Sequence, residues 1–290
     1  MKASSLALLL LVVCQLLPAV CYAQSPAEHA PAERSLWRAA WPTFSWIEGL
    51  ATVAAGAGTL ALALHAPSRE ARWEGGILFD DAVTDAVRPN SAGARHRVRR
   101  IGNVAYFAAP VIPLIIDPLI VALGLRGDSK AALNVGWMGL EAFSYAGLLT
   151  FAATRASARE RPDSTECRRQ HPDGAGCGEV DTVSFWSGHA AIAATSAGLT
   201  CANHRYLPLW GHPVADVSAC VLTSAGALTA AVSRVASDRH YATDVLMGLG
   251  VGFGIGYSVP VLLHYSRTRT EVSMSLAPCG EGCLSLTGSF

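Results

Sequence analysis

Charge is scarce in this 290-residue chain. Asp, Glu, Lys and Arg make up 15% of it, against a usual share of about 25%. The 22 basic side chains balance 22 acidic ones, so no global field draws in a polyanion, and nucleic acid is excluded as an expected partner. Metal-ligand patterning is missing too. His171, His204 and His212 stand without companion ligands, and no metal site is expected from them. No internal repeat is apparent. Apolar residues fill the space that charge leaves. Hydrophobic residues reach 51% and the mean hydropathy is +0.32, on the membrane side of an ordinary soluble enzyme. An apolar helical protein is expected, although length alone does not decide between one domain and two.

The first 23 residues follow the order of a secretory signal: Lys2, an apolar run from Leu6 to Leu17, then Val-Cys-Tyr-Ala ending at Ala23. The run is short for a membrane span, so cleavage near Gln24 is expected over retention as an anchor. Cys14 and Cys21 leave with such a signal. The six remaining cysteines suit an export compartment, and three local pairs are plausible by spacing: Cys167/Cys177, Cys201/Cys220 and Cys279/Cys283.

Residues 24–43 read as a linker, because the Pro/Ala/Glu stretch Ser25 to Glu33 lacks apolar content. Residues 44–266 read as the helical domain. Six apolar stretches run through it, at about Phe44–Leu64, Asn103–Leu125, Ala131–Thr154, Trp186–Asn203, Val214–Val235 and Tyr241–His264. Each is near the roughly 20 residues a helix needs to cross a bilayer, and each is rich in the small residues that let helices approach closely. Glu48, Asp117 and Glu141 lie inside these runs and must face a partner or a wet cavity. The Arg-His-Arg-Val-Arg-Arg cluster at 95–100 reads as a solvated connector ending at a helix boundary. In the tail, 267–290, alternation around a Gly/Pro turn suggests a small hairpin.

Three polar segments carry residue types suited to a tetrahedral oxyanion. In Ser157-Ala-Arg159-Glu-Arg161-Pro162, guanidinium forks match phosphate oxygens and Pro162 stops a helix. In Ser184-Phe-Trp-Ser187-Gly188-His189, a Ser cap and a Gly open a helix whose N-terminus favours an anion, with His189 in the first turn as a proton donor. The alternative for this segment is an ordinary cap followed by a surface histidine. In Ser233-Arg234-x5-His240-x3-Asp244, a helix would put His240 and Asp244 one turn apart, so that the carboxylate orients one imidazole nitrogen and leaves the other basic. A satisfied core histidine, or half of a metal site, is the alternative.

In this order and spacing the three segments resemble the signature of the type 2 phosphatidic acid phosphatase (PAP2) and vanadium haloperoxidase superfamily: Lys-x6-Arg-Pro, Pro-Ser-Gly-His and Ser-Arg-x5-His-x3-Asp. The third matches at Ser233, Arg234, His240 and Asp244. The second matches at Ser187, Gly188 and His189, with Trp186 in place of Pro. The first matches at Arg161 and Pro162, but Thr154 occupies the Lys position, leaving Arg155 or Arg159 to substitute. The resemblance covers roughly 131–264 and implies a six-helix, all-α bundle, associated with a membrane. It implies that His240 attacks phosphorus with Asp244 orienting it, and that His189 protonates the leaving oxygen. It further implies that Arg161, Arg234, Ser187 and the Gly188 N–H bind the phosphoryl oxygens. A lipid phosphate is the implied substrate, with no metal or organic cofactor.

Two rivals remain at this level. One is a vanadate-dependent haloperoxidase. The other is a non-catalytic envelope protein that kept the fold, suggested by Thr154 and Trp186. For location, the resemblance implies an extracytoplasmic site. Six true spans behind a cleaved signal would instead put the site inside. Oxidised pairs at both ends of the fourth helix would mean that both ends see an oxidising space, as in a periplasmic or outer-envelope protein.

Overall fold

The computed structural model describes residues 35–266, except 174, and the backbone of 273–278 and 284–289. The expected signal, the first part of the linker and the Cys279/Cys283 pair lie outside the described residues.

The chain is built from helices. We number them α1 (Trp46–Leu64), α2 (Asp80–Val87), α3 (Ala92–Ala108), α4 (Ser129–Ser157), α5 (Pro162–Gln170), α6 (Gly188–Tyr206), α7 (Pro213–Ala236) and α8 (Ala242–Pro260). π-helical segments at Ile112–Leu125 and Val261–Tyr265 extend the paths of α3 and α8. All six apolar stretches fall on helices, and the short helices α2 and α5 are additional to them. In the tail, β1 (Ser273–Pro278) pairs antiparallel with β2 (Leu284–Ser289).

Local chemistry sets the helix starts. Ser45 and Glu48 form a reciprocal capping box on α1, Asp128 caps α4 through Ala131 N at 2.9 Å, and Pro162 and Pro213 open α5 and α7 at positions where a missing N–H costs nothing. The Arg cluster at 95–100 lies inside α3 rather than in a connector. Ser91 caps that helix through Ala94 N, about a dozen residues before the apolar stretch begins. Residues 35–43 also differ from the linker reading. Trp37 and Trp41 are buried against Leu207, Leu209 and Tyr265, and Leu36 N donates to Asp128 at 2.6 Å.

α6 is the central element. Its sequence Gly-His-Ala-Ala-Ile-Ala-Ala-Thr presents small side chains in every direction, and Ala190, Ala191, Ala193, Ala194 and Ala197 are all buried. The packing against α8 is closer still. A Cβ on Gly252 would stand 2.1 Å from the carbonyl oxygen of Ala191, and one on Gly256 would stand 2.2 Å from that of Thr195. Only glycine permits backbones to approach in this way.

Large apolar side chains point outward instead. Val214, Val217, Val221, Leu228 and Val232 on α7 are exposed, as are Leu50, Val53, Leu60 and Leu64 on α1. An apolar surface of this kind fits a lipid environment. Trp46–Leu64, Pro213–Ala236 and Ala242–Tyr265 are long and apolar enough to cross a membrane, and α3 with its π segment, bent by 40°, makes a fourth if counted as one span. α4 and α6 do not meet this length and composition test. Cysteines 167 and 177 are joined by a disulfide, as are cysteines 201 and 220.

Candidate active site

The start of α6 is docked onto the start of α8. Ser187 caps α6 through Ala190 N at 3.4 Å, and its own N–H donates to the carbonyl of Asp244 at 3.1 Å. Below this junction, α7 ends in a tight turn. Asp238 adopts a left-handed φ of 58°, and the N–H groups of Arg239 and His240 both fold back onto the carbonyl of Arg234, at 2.9 and 3.3 Å. The turn therefore brings Arg234 and His240 together, although six positions separate them.

His240 is buried, with 2% of its surface exposed. It precedes α8 rather than sharing a helical face with Asp244. Its Nδ1 donates to the carbonyl of Ser184 at 2.7 Å, while the Asp244 carboxylate stands 4.0 Å away. This corrects the expected direct orientation by Asp244. That carboxylate accepts instead from Ser184 Oγ at 2.6 Å, from Tyr241 N at 3.0 Å and from Arg159. It acts on the ring through Ser184 and the backbone of the turn.

Arg159 is likewise not free to hold phosphate. It is fully buried and bridges Asp244 to Asp80, with Nη2 2.9 Å from Asp80 Oδ2 and 2.9 Å from the Gly75 carbonyl. The rings of Trp73 and Tyr241 stand 3.9 and 4.1 Å from its guanidinium carbon. Arg155 points elsewhere, donating to the Leu62 carbonyl at 3.1 and 3.2 Å. Thr154 returns its hydroxyl to Phe151 O at 2.9 Å. Neither arginine replaces the missing lysine, because each is committed to holding helices together.

His189 sits over the ring of Tyr106, centroids 4.3 Å apart. Its Nε2 lies 3.1 Å from Asn103 Oδ1, which also accepts from Arg234 Nη1 at 3.2 Å. Arginine only donates, so this atom is the amide oxygen and His189 carries its proton on Nε2. Asn103 reaches the site because Gly102, its neighbour on α3, lies flat against Ser233 of α7. A Cβ there would overlap the serine hydroxyl at 1.6 Å. This explains the serine of the Ser-Arg pair: its hydroxyl bonds to Ala230 O at 2.7 Å and its small size admits α3.

Arg161 lies just before α5. Its Nε is 3.2 Å from Asp181 Oδ1, an ion-pair distance without hydrogen-bond alignment, while Arg239 takes the other oxygen at 3.0 Å and also pairs with Asp163. The Nε atoms of Arg161 and Arg234 are buried without a hydrogen-bond partner. Burial lowers the pKa of Arg161 to about 10 despite Asp181. His189 falls to about 3 through burial and then through Arg234 and Arg161. His240 is pulled well below its usual value by burial, Arg161 and Arg234. Two neutral imidazoles thus face a cluster of buried, mutually repelling cations with donors to spare. An oxyanion answers both the charge and the donors.

Of the sequence-predicted site residues, the structure brings together His240, His189, Arg161, Arg234, Ser187 and Gly188. It places Asp244 behind the histidine, and Arg155 and Arg159 outside the cluster. Sequence reasoning missed Asn103, Asp80 and Arg239. Arg239 adjoins His240. Asn103 stands one helical turn after Arg99, which was a readable spacing once α3 was known to start at Ala92. Asp80 had no signal of its own. Among the described residues, no three His, Cys, Asp or Glu side chains converge as metal ligands.

Two neutral imidazoles set against buried guanidinium groups make a site suited to an oxyanion. Residues 136–268 match the family model described as PAP2 superfamily. The match supports phosphatase-type activity in general. No curated protein matches the chain, and no solved structure matches it. α3, with Asn103, lies outside the matched segment.

Proposed function

We propose that this protein hydrolyses a phosphomonoester or pyrophosphate, borne on a lipid, through a phosphohistidine at His240. The observation that carries the reading is the pairing of a neutral imidazole, fixed through Nδ1, with the nearby charges of Arg161 and Arg234, whose Nε donors are buried and unsatisfied. Nε2 of His240 attacks phosphorus. Arg161 and Arg234, with the Gly188 N–H at the α6 start, take the three phosphoryl oxygens and stabilise the charge that builds up on them. Once bound phosphate offsets the Arg234 and Arg161 charges and His189 takes up a proton, the imidazolium gives that proton to the departing oxygen, and the neutral ring then takes one from the water that hydrolyses the phosphohistidine. No metal or organic cofactor enters this scheme.

The exposed apolar belt supports a lipid substrate presented at a membrane surface. The two disulfides support export, since Cys167–Cys177 flanks the site and Cys201–Cys220 lies further along α6. On this reading the site is extracytoplasmic, in the cell envelope. The test is phosphate release from a panel of lipid and soluble phosphates by the purified protein, beside His240→Ala and His189→Ala. Release from lipid phosphates that His240→Ala abolishes supports the proposal, and equal release by wild type and both variants excludes it.

A further inference from the structure

α3 carries Arg95, Arg99 and Asn103 at successive intervals of four, which places them along one face of the helix. Asn103 touches His189 and Arg234 in the active site. The other two line a cavity of about 450 Å³, whose walls also include Arg88, His96, His171 and the Ser237–Asp238 turn. That turn leads directly into His240. One wall of the cavity is therefore continuous, residue by residue, with the wall of the phosphoryl site.

The charges in the cavity are unevenly matched. Arg88 and Arg95 both pair with Asp238, at 2.9 and 3.2 Å. The other acids in its lining, Asp163 and Glu166, are engaged by Arg239 and Arg169. Arg99 makes no hydrogen bond or ion pair with any described residue, and its charge acts repulsively on Arg234. Such an unpaired cation beside a basic catalytic cluster is costly unless an anion lies next to it.

We propose that this cavity is a second anion subsite, which takes a second phosphate group of the substrate while the first sits against His240. The inference rests on the phosphatase reading and narrows its substrate class to molecules bearing two phosphates, whether adjoining in a diphosphate or separated by a spacer. Arg99 is the determinant of that preference. It binds the phosphate that stays behind and touches none of the reacting atoms.

The experiment is calorimetric titration of the purified full chain in detergent with orthophosphate, pyrophosphate and a series of alkanediol bisphosphates of increasing spacer length. Wild type is compared with Arg99→Gln and with Arg97→Gln, whose side chain lies on α3 outside the cavity lining. At least one two-phosphate ligand should bind wild type about tenfold more tightly than orthophosphate, the worth of one charge-assisted contact. Arg99→Gln should remove that advantage and leave orthophosphate binding unchanged, while Arg97→Gln should behave as wild type. The preferred spacer tells a diphosphate from a separated bisphosphate. The subsite is overturned if no two-phosphate ligand outbinds orthophosphate, or if the advantage survives in Arg99→Gln. If the Arg99-dependent preference is present but no phosphate ester is hydrolysed, the subsite stands and the phosphatase reading falls.

Discussion

His240 donates from Nδ1 to the carbonyl oxygen of Ser184 across 2.7 Å. A carbonyl oxygen can only accept, so the neutral ring carries its proton on Nδ1 and offers Nε2 as its basic atom. The tautomer is set by backbone, and that backbone is set in turn by Asp244, Arg159 and Asp80. The histidine is therefore only as well placed as the buried chain of ion pairs behind it.

That chain makes a prediction about a residue far from the motifs. Asp80 and Asp244 grip opposite ends of the Arg159 guanidinium, so Asp80→Asn should resemble Asp244→Asn. Removing one partner of a buried pair costs about 3–5 kcal/mol. Both variants should melt well below wild type in detergent and lose phosphate release together. If Asp244→Asn lost activity at unchanged melting temperature while Asp80→Asn remained fully active, Asp244 would be acting on His240 directly.

Proton linkage at His189 can be measured by calorimetry. In the free site its pKa is held near about 3 by burial and by the Arg234 and Arg161 charges. A bound phosphate offsets those charges and raises the pKa, so binding should draw in a proton, and phosphate affinity should weaken as pH rises. Titrations in buffers of different ionisation enthalpy should report proton uptake in wild type and none in His189→Ala. Equal uptake in both would assign the proton to another group.

The same depression bears on stability. A histidine whose folded pKa lies below its unfolded value of about 6.5 contributes stability above that pH, and loses the contribution as pH falls toward the folded value. His240 and His189 both belong to this class. The melting temperature should therefore decline below about pH 6.5, and the decline should be shallower in His189→Gln. An identical acid profile in the variant would contradict a buried neutral imidazole there.

Helix spacing can be tested with an internal control. Gly252→Ala would drive a methyl group into the Ala191 backbone, forcing α6 and α8 apart beneath Ser187 and Asp244, at a cost of about 1–3 kcal/mol. Gly250 and Gly254 on the same helix have nothing within 4 Å of an added Cβ. Alanine there should be neutral, or stabilising by about 0.5–1 kcal/mol through helix propensity. Activity and melting temperature should fall in Gly252→Ala alone.

How much of this was legible in the sequence depends on whether a feature is local. The Ser187 cap and the apolar runs are short-range chemistry, and they read directly as the positions of α6 and the other long helices, whereas Pro162, expected to stop a helix, opens the short helix α5. The membership of His240, His189, Arg161 and Arg234 in one cluster was legible through motif order. What each side chain grips was not. Arg159 and Arg161 are two residues apart and chemically alike, yet the first is locked between Asp80 and Asp244 and the second faces the site. Asp80 contributes from a helix 164 positions before Asp244, and nothing near it announces the pairing. His96, Arg97 and Arg100 of the Arg-rich stretch are exposed, as expected, while Arg95 and Arg99 line a cavity, and composition does not tell those two faces apart.

The measurement that bears most directly on the central claim is trapping of the intermediate. Wild type and His240→Ala are mixed with a lipid phosphate that the wild type turns over, quenched in alkali to preserve phosphohistidine, digested and examined by mass spectrometry. The account predicts a phosphoryl group on the peptide containing His240 in wild type, and no turnover in the variant. Steady turnover with that peptide unmodified, together with activity retained in His240→Ala, would contradict it.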